Sequence, residues 1–265
     1  MMLELVEDEA RLLDLLSLLM VLMGLLSFAL LRCIRVPYGR YASSAFGPPV
    51  PVRLAWFIQE LPSLAVPLYY VSVHPDLPTP ALLLMGLFIC HYMHRTLIFP
   101  VLIRGGKPTP LLPFALAFIF CCYNGYLQSS YLCKHSTFPS GWTHDPRFIA
   151  GLALFFCGMS INIYSDHILR NLRKPGESGY KIPHGGLFDY VSGANFFGEI
   201  AEWTGFAVAG WSTPGSAFAI FTLLVLLSRA QQHHQWYLEK FDNYPKSRKN
   251  PYTVSVLNPG AAGSL

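Results

Sequence analysis

Charge is scarce along this chain: 13% of its 265 residues are Asp, Glu, Lys or Arg, about half the share usual in a soluble domain. No polar stretch is long enough to build such a domain. Cysteine pairs are missing too. Cys33, Cys90, Cys121, Cys122, Cys133 and Cys157 show no CxxC spacing and lie mostly inside apolar runs, which excludes a disulfide framework or a zinc site and reads them as small core residues. No GxGxxG follows a strand pattern, so a soluble Rossmann domain does not serve as a nucleotide site. Gly105–Gly106–Lys107–Pro108 lacks the Walker spacing and reads as a turn carrying a cation. His91 and His94 find no third candidate ligand, and no metal is expected. The opening MMLELVEDEAR has neither the positive region nor the small-residue cleavage site of a secretory signal, so the apolar run 12–31 is expected to stay as a first span.

What the chain has in quantity is apolar sequence. The hydrophobic share is 52%, mean hydropathy is +0.37, and runs of about twenty apolar residues recur from one end to the other. The expectation is an all-α, polytopic membrane protein forming one domain over 1–265, with seven spans at 10–31, 53–73, 81–103, 110–132, 147–170, 188–210 and 214–238. Fifteen of the nineteen basic residues fall in alternate connections, from Arg32 to Arg53, at Arg104 and Lys107, from Arg170 to Lys181, and from Arg229 to Lys249. Such an asymmetry puts the N-terminus in the lumen and the C-terminus in the cytosol.

Against that apolar ground, WFIQELPS (56–63) sets Gln59 and Glu60 side by side inside the second span, where a carboxylate costs at least a few kcal/mol and is kept for work or for a buried partner. Further polar residues fall in the halves of other spans expected to lie nearest the cytosol: Tyr92 and Arg95; Asn162 and Asp166; Asn195, Glu199 and Glu202; Arg229, His233 and Tyr237. Asn162/Asp166 and Asn195/Glu199 are four apart, and Arg229, His233 and Tyr237 continue the same step, so each set projects from one stripe of its helix. Polar stripes that open to one side, fringed by basic loops such as RNLRKPGESGYK, suit a polyanionic ligand entering from that side.

The motifs FIQELPSLAVPLY, HYMHRTLIFP, RGGKPTPLL, NGYLQS, INIYSDHILRNLRKPG, GYKIPHGGLFDYVSGANFFGEIAEW and HHQWYLEKFDNYPKSRK, in this order from about Tyr38 to Lys249, resemble the steroid 5α-reductases, the type 1 isozyme more than type 2. The resemblance implies a seven-helix enzyme of the endoplasmic reticulum membrane with its cavity open to the cytosol. The reaction it implies is NADPH-dependent reduction of the Δ4 double bond of 3-oxo-steroids such as testosterone, progesterone and androstenedione. The expected partners are the steroid and the lipid bilayer, with no nucleic acid.

Matched position by position, the resemblance implies that Glu60 and Tyr92, with Gln59 beside them, meet the 3-keto group. Asn162, Asp166, Arg173, Tyr180, Asn195, Glu199, Arg229, His233 and Tyr237 are placed around NADPH. Lys107 and Lys181 keep basic character at two cofactor-side positions, Tyr38 and Arg40 supply a further cofactor contact, and Trp56 and Trp203 line the steroid pocket. The tail NPYTVSVLNPGAAGSL (250–265) diverges from the family pattern.

Hydride reaches a C=C bond readily when the bond is conjugated to a carbonyl, because charge moves to oxygen; a donor aimed at that oxygen is therefore required. Tyr92 is the expected donor. Glu60 either donates when protonated or polarises the tyrosine when ionised, and the residues leave both states open. Rival readings are a polyprenol or enoyl-CoA reductase, and a membrane methyltransferase using S-adenosylmethionine.

Overall fold

The structure, a computed structural model, describes residues 2–248 except 175 and 178, with side chains from residue 8 onward. The divergent tail and Lys249 lie outside the described residues.

Helices dominate. They are α1 (Met2–Leu30), α2 (Val52–Val73), α3 (Thr79–Met93), α4 (Phe99–Leu102), α5 (Leu111–Ser130), α6 (Pro146–Asn171), α7 (Ala194–Gly210) and α8 (Thr213–Lys240). A π-turn over His94–Ile98 joins α3 to α4 as one continuous rod, and a second over Tyr131–His135 prolongs α5. Local chemistry sets the ends. Asp145 caps α6 by accepting the Arg147 N–H, and Ser212 caps α8 by accepting the Gly215 N–H, with Pro146 and Pro214 in the first turns, where no donor is needed. A two-residue antiparallel ladder, β1 (Pro49–Val50) with β2 (Thr109–Pro110), ties the α1–α2 connection to the start of α5.

Among the described residues, five segments are long and apolar enough to cross a membrane: Asp8–Leu30, Thr79–Leu102, Leu111–His135, Pro146–Asn171 and Thr213–Lys240. Helix α2 carries Arg53, Gln59 and Glu60, and α7 has 17 residues with Glu199 and Glu202 among them; neither belongs to the five. The expected sixth span, 188–210, starts too early. Residues Gly186–Asp189 form a 3-10 turn, with the Asp189 carboxylate accepting the Gly185 N–H, and Gly193 is the N-cap, so α7 begins at Ala194. A side chain that bonds the local backbone competes with the helix at that point.

Side-chain contacts sort the helix ends into two groups. Arg35 pairs with Glu239, Arg53 donates to the Ile103 carbonyl, Arg104 donates to Asn171, and Lys107 donates to the Arg40 carbonyl. At the opposite end Glu9 accepts from Ser130 and Lys134, and Trp142 donates to the Ala209 carbonyl. The rods therefore alternate in direction, and the basic connections gather at one end.

The most extensive helix pair, α6 with α7, is built on glycine. Gly151 and Gly158 on α6, and Gly198 and Gly205 on α7, are each seven residues apart. At all four, a Cβ would come closer than 3.0 Å to backbone of the facing helix. Backbones in near-contact leave no room for side chains on that seam. The main core surrounds Trp203, whose ring centroid lies 4.5–6.1 Å from those of Phe88, His91, Tyr92, Phe155, Phe206 and Phe218.

Candidate active site

Where α6 and α7 run close, their polar stripes meet. The Asn162 amide donates to the Asn195 carbonyl at 2.9 Å and to Glu199 at 3.3 Å. Arg95 crosses from the π-turn between α3 and α4 to pair with Asp166 and Glu199, each at 3.0 Å. The turn widens the helix where the arginine leaves it, a device often found at functional sites. All three charged side chains are largely buried, at 11%, 7% and 18% exposure. Their planes are held by aromatics, since the Arg95 guanidinium stands 5.2 Å from the Trp56 ring and 4.8 Å from Phe99. Removing one member of a buried pair strands the others. Arg95→Met should therefore lower stability by about 3–5 kcal/mol, read as a fall in apparent melting temperature of the detergent-solubilised protein. A melting curve matching wild type would show that the pair carries no such energy.

On the α2 side, Gln59 donates to one oxygen of Glu60 at 3.1 Å, and the Cys121 thiol lies 3.6 Å from the other. Ser63, one turn on, donates to the Cys121 carbonyl at 3.1 Å and locks α2 to α5. Tyr92 is 4% exposed, and the polar neighbours of its phenol are Glu60, Ser63, Cys121 and Asn124. Its ring packs on Phe88 and Trp203. Behind it, His91 meets Glu202 at 2.7 Å, an entirely buried contact that joins α3 to α7. Trp203 thus backs Tyr92 from the core, whereas Trp56 touches the Arg95 cluster.

A cavity of about 260 Å³ opens among the basic connections. Its walls include Tyr38, Arg40, Lys107, Arg173, Tyr180, Arg229 and His233, with four cations and no carboxylate in the lining among the described residues. Arg229 bonds the Tyr38 hydroxyl and stacks on Phe196, the residue after Asn195. Arg40 lies 4.3 Å over Trp236 and bonds the Tyr237 hydroxyl at 3.4 Å, so Tyr237 acts beneath the lining. Lys181 stands apart: it pairs with Glu177, whose carboxyl it holds below the ordinary range, and it does not line the cavity. Sequence spacing did not single out Gln232, which lines the cavity and donates to the Leu31 and Ile34 carbonyls at 2.7 and 2.8 Å. Its neighbours Arg229 and His233 were the available signal. Nor did it give Arg95 a role, because the partners lie 71 and 104 residues away.

Residues 107–252 match the family model described as 3-oxo-5-alpha-steroid 4-dehydrogenase. The 3-oxo-5-alpha-steroid 4-dehydrogenase 1 of Rattus norvegicus is 58% identical over 247 residues, covering 91% of this chain and 95% of the relative. The chain belongs to the 3-oxo-5-alpha-steroid 4-dehydrogenase family. Among other members of this dehydrogenase family, the type 1 protein of Bos taurus is 56% identical over 249 residues, with 91% and 96% of the two chains covered. The type 2 protein of Homo sapiens is 52% identical over 202 residues, with 76% and 79% covered. The greater likeness to type 1 agrees with the motif pattern. The family stretch that starts at Lys107 takes in the α6–α7 cluster and the α8 wall of the cavity, while Glu60 and Tyr92 precede it.

Proposed function

We propose that this chain is a membrane-bound, NADPH-dependent reductase that converts 3-oxo-Δ4-steroids to their 5α-dihydro forms, with Glu60 and Tyr92 at the 3-keto group. The observation that carries the reading is the 58% identity over nearly the whole length of a 3-oxo-5-alpha-steroid 4-dehydrogenase 1. Testosterone, progesterone and androstenedione are the substrates proposed.

The residues fit the cofactor. Among the described residues, four cations and no carboxylate line the cavity, and Nη1 of the lining Arg40 is buried with no hydrogen-bond partner. Such donors suit phosphate oxygens, and the guanidinium fork suits them bidentately. Arg40, Arg173 and Arg229, with Lys107, would hold the phosphates, including the 2′-phosphate that separates NADPH from NADH. Asn162, Asp166, Asn195 and Glu199, fixed by Arg95, would orient the nicotinamide end. Lys181 belongs to this set only if it leaves Glu177. When bound, NADPH supplies the hydride that the steroid accepts at C5.

The chain's own part is positioning and charge. Negative charge gathers on the steroid 3-oxygen as C5 is reduced, and the Tyr92 phenol supplies an O–H aimed at that oxygen in a site closed to water. Glu60, held by Gln59 and Cys121, fixes the phenol and shares its proton. The steroid skeleton needs only an apolar slot; Trp56, partly exposed beside Arg95, would line it, with the buried Trp203 behind Tyr92.

The proposed topology has seven spans, the N-terminus in the endoplasmic reticulum lumen and the basic end in the cytosol. Alternating rods and the gathering of basic connections at one end support it. The deciding experiment incubates the solubilised protein with NADPH and testosterone and identifies the product by mass and by C5 configuration. The expected product is 5α-dihydrotestosterone. A folded protein that leaves testosterone, progesterone and androstenedione unreduced would overturn the reading.

A further inference from the structure

A second cavity, about 530 Å³ in volume, lies between the end of α1 and the last turns of α8. Helix α8 crosses α1 closely at Gly24, where a Cβ would stand 3.1 Å from the Phe221 backbone and 3.2 Å from Leu224. α1 stops at Leu30, and the turn Leu31–Arg35 is held against α8, which runs on to Lys240, by Gln232 donating to the Leu31 and Ile34 carbonyls and by the Arg35–Glu239 pair. The α8 wall of this groove is polar: Ser228, Gln231 and Gln235 follow one another at helical spacing on one stripe. The opposite wall brings Arg32 and Arg35. Arg35 pairs with Glu239, both side chains about half exposed, and lies 5.5 Å over the Tyr41 ring; an ion pair so placed yields readily to a better anion. Below the groove, α1 turns Leu22, Leu25, Leu26 and Leu30 outward, each at least 49% exposed.

Two cations, one of them paired with Glu239 of the same lining, and a row of neutral polar side chains line the groove at the basic end of the bundle, just past the outward apolar face of α1. We propose that this groove binds the headgroup of an anionic phospholipid, its phosphate on Arg32 and Arg35 and its acyl chains along the outward leucines of α1. An anionic head joined to an apolar tail matches both halves of the surface, and basic residues just past a membrane helix attract such lipids. The groove meets the cofactor cavity at Gln232, which lines both; the inference does not depend on the steroid reading and rests on the membrane placement of α1.

The full-length chain, purified in mild detergent with equal amounts of phosphatidylinositol and phosphatidylcholine, is examined by native mass spectrometry for retained lipid, and its steroid reduction is measured in parallel. Phosphatidylinositol should be retained in preference, at one per chain. The double variant Arg32→Gln/Arg35→Gln should weaken that retention about tenfold or more. Gln235→Glu, which sets a like charge in the groove and leaves both arginines in place, should weaken it as well. Retention equal for the two lipids, retention unchanged in both variants, or displacement of the lipid by millimolar inorganic phosphate would each overturn the proposal. Reductase activity is read independently, so loss of the lipid site and failure of the enzymatic reading remain distinguishable.

Discussion

Turnover of a Glu60→Gln variant should fall by about two to three orders of magnitude, the loss expected when the O–H donor at the developing oxyanion, Tyr92, loses the acid that fixes it and shares its proton. Affinity for NADPH should stay near wild type, because Glu60 sits on α2 among Gln59, Cys121 and Tyr92. The cation-lined cavity is built from the α1–α2 connection, the loop after α4, the loop after α6, and α8. The substitution is close to isosteric, so Cys121 and the Tyr92 ring keep their places, while an amide neither accepts as a carboxylate does nor gives up a proton. Steady-state kinetics beside an NADPH titration of the same preparation separates the two effects. Near-normal turnover in a variant that binds NADPH would remove Glu60 from the chemistry and leave it a structural acid.

The second large effect concerns packing. Gly158→Ala should cost about 3 kcal/mol of stability, the upper part of the range for overpacking, and should lower activity with it. The added methyl would meet the backbone of Glu202 and Gly198, which cannot swing aside as a flexible side chain does, so α6 and α7 must separate. One turn further on, Asn162 bonds Asn195 and Glu199 across that seam, and Arg95 bridges Asp166 to Glu199; all of these lengths depend on the helix spacing. Gly86→Ala is the control. It also lies within a helix, but a Cβ there meets nothing within 4 Å, and alanine is the better helix former by about 1 kcal/mol. Thermal unfolding of both variants in one detergent tests the pair. Equal melting temperatures would show that the seam tolerates side chains.

Much of the helical order could be read from the chain, because apolar runs of membrane length have few other solutions. Five of the seven expected spans coincide with helices to within a few residues at both ends; α1 begins at Met2 rather than near residue 10, and α7 at Ala194 rather than 188. The early start given to α7 arose because Phe188 and Val191 look like span residues, while the turn chemistry of Gly185, Asp189 and Gly193 overrides them. The stripes Asn162/Asp166 and Asn195/Glu199 were legible from their four-residue step, and they do face each other. What joins them was not legible, since Arg95 comes from another helix and periodicity says nothing about which helices are neighbours. The same limit hid the His91–Glu202 contact. The glycines at 151, 158, 198 and 205 carried a readable seven-residue spacing, but only the facing backbone gives that spacing a meaning. Lys181 shows the converse: a cation at the right point in the motif is held away by Glu177, four residues earlier.

The short, acid-bearing α7 has a consequence for how the chain is made. On the proposed topology, seventeen residues with two carboxylates are a poor candidate for release from a translocon into lipid. Its neighbours answer each of its liabilities: α6 offers the glycine seam, Arg95 balances Glu199, and His91 meets Glu202. Biogenesis then has an order of dependence. The α3–α4 rod and α6 must already be in the bilayer, or waiting beside the channel, before α7 can leave water, and a lesion in any of them would be felt first as a failure of insertion.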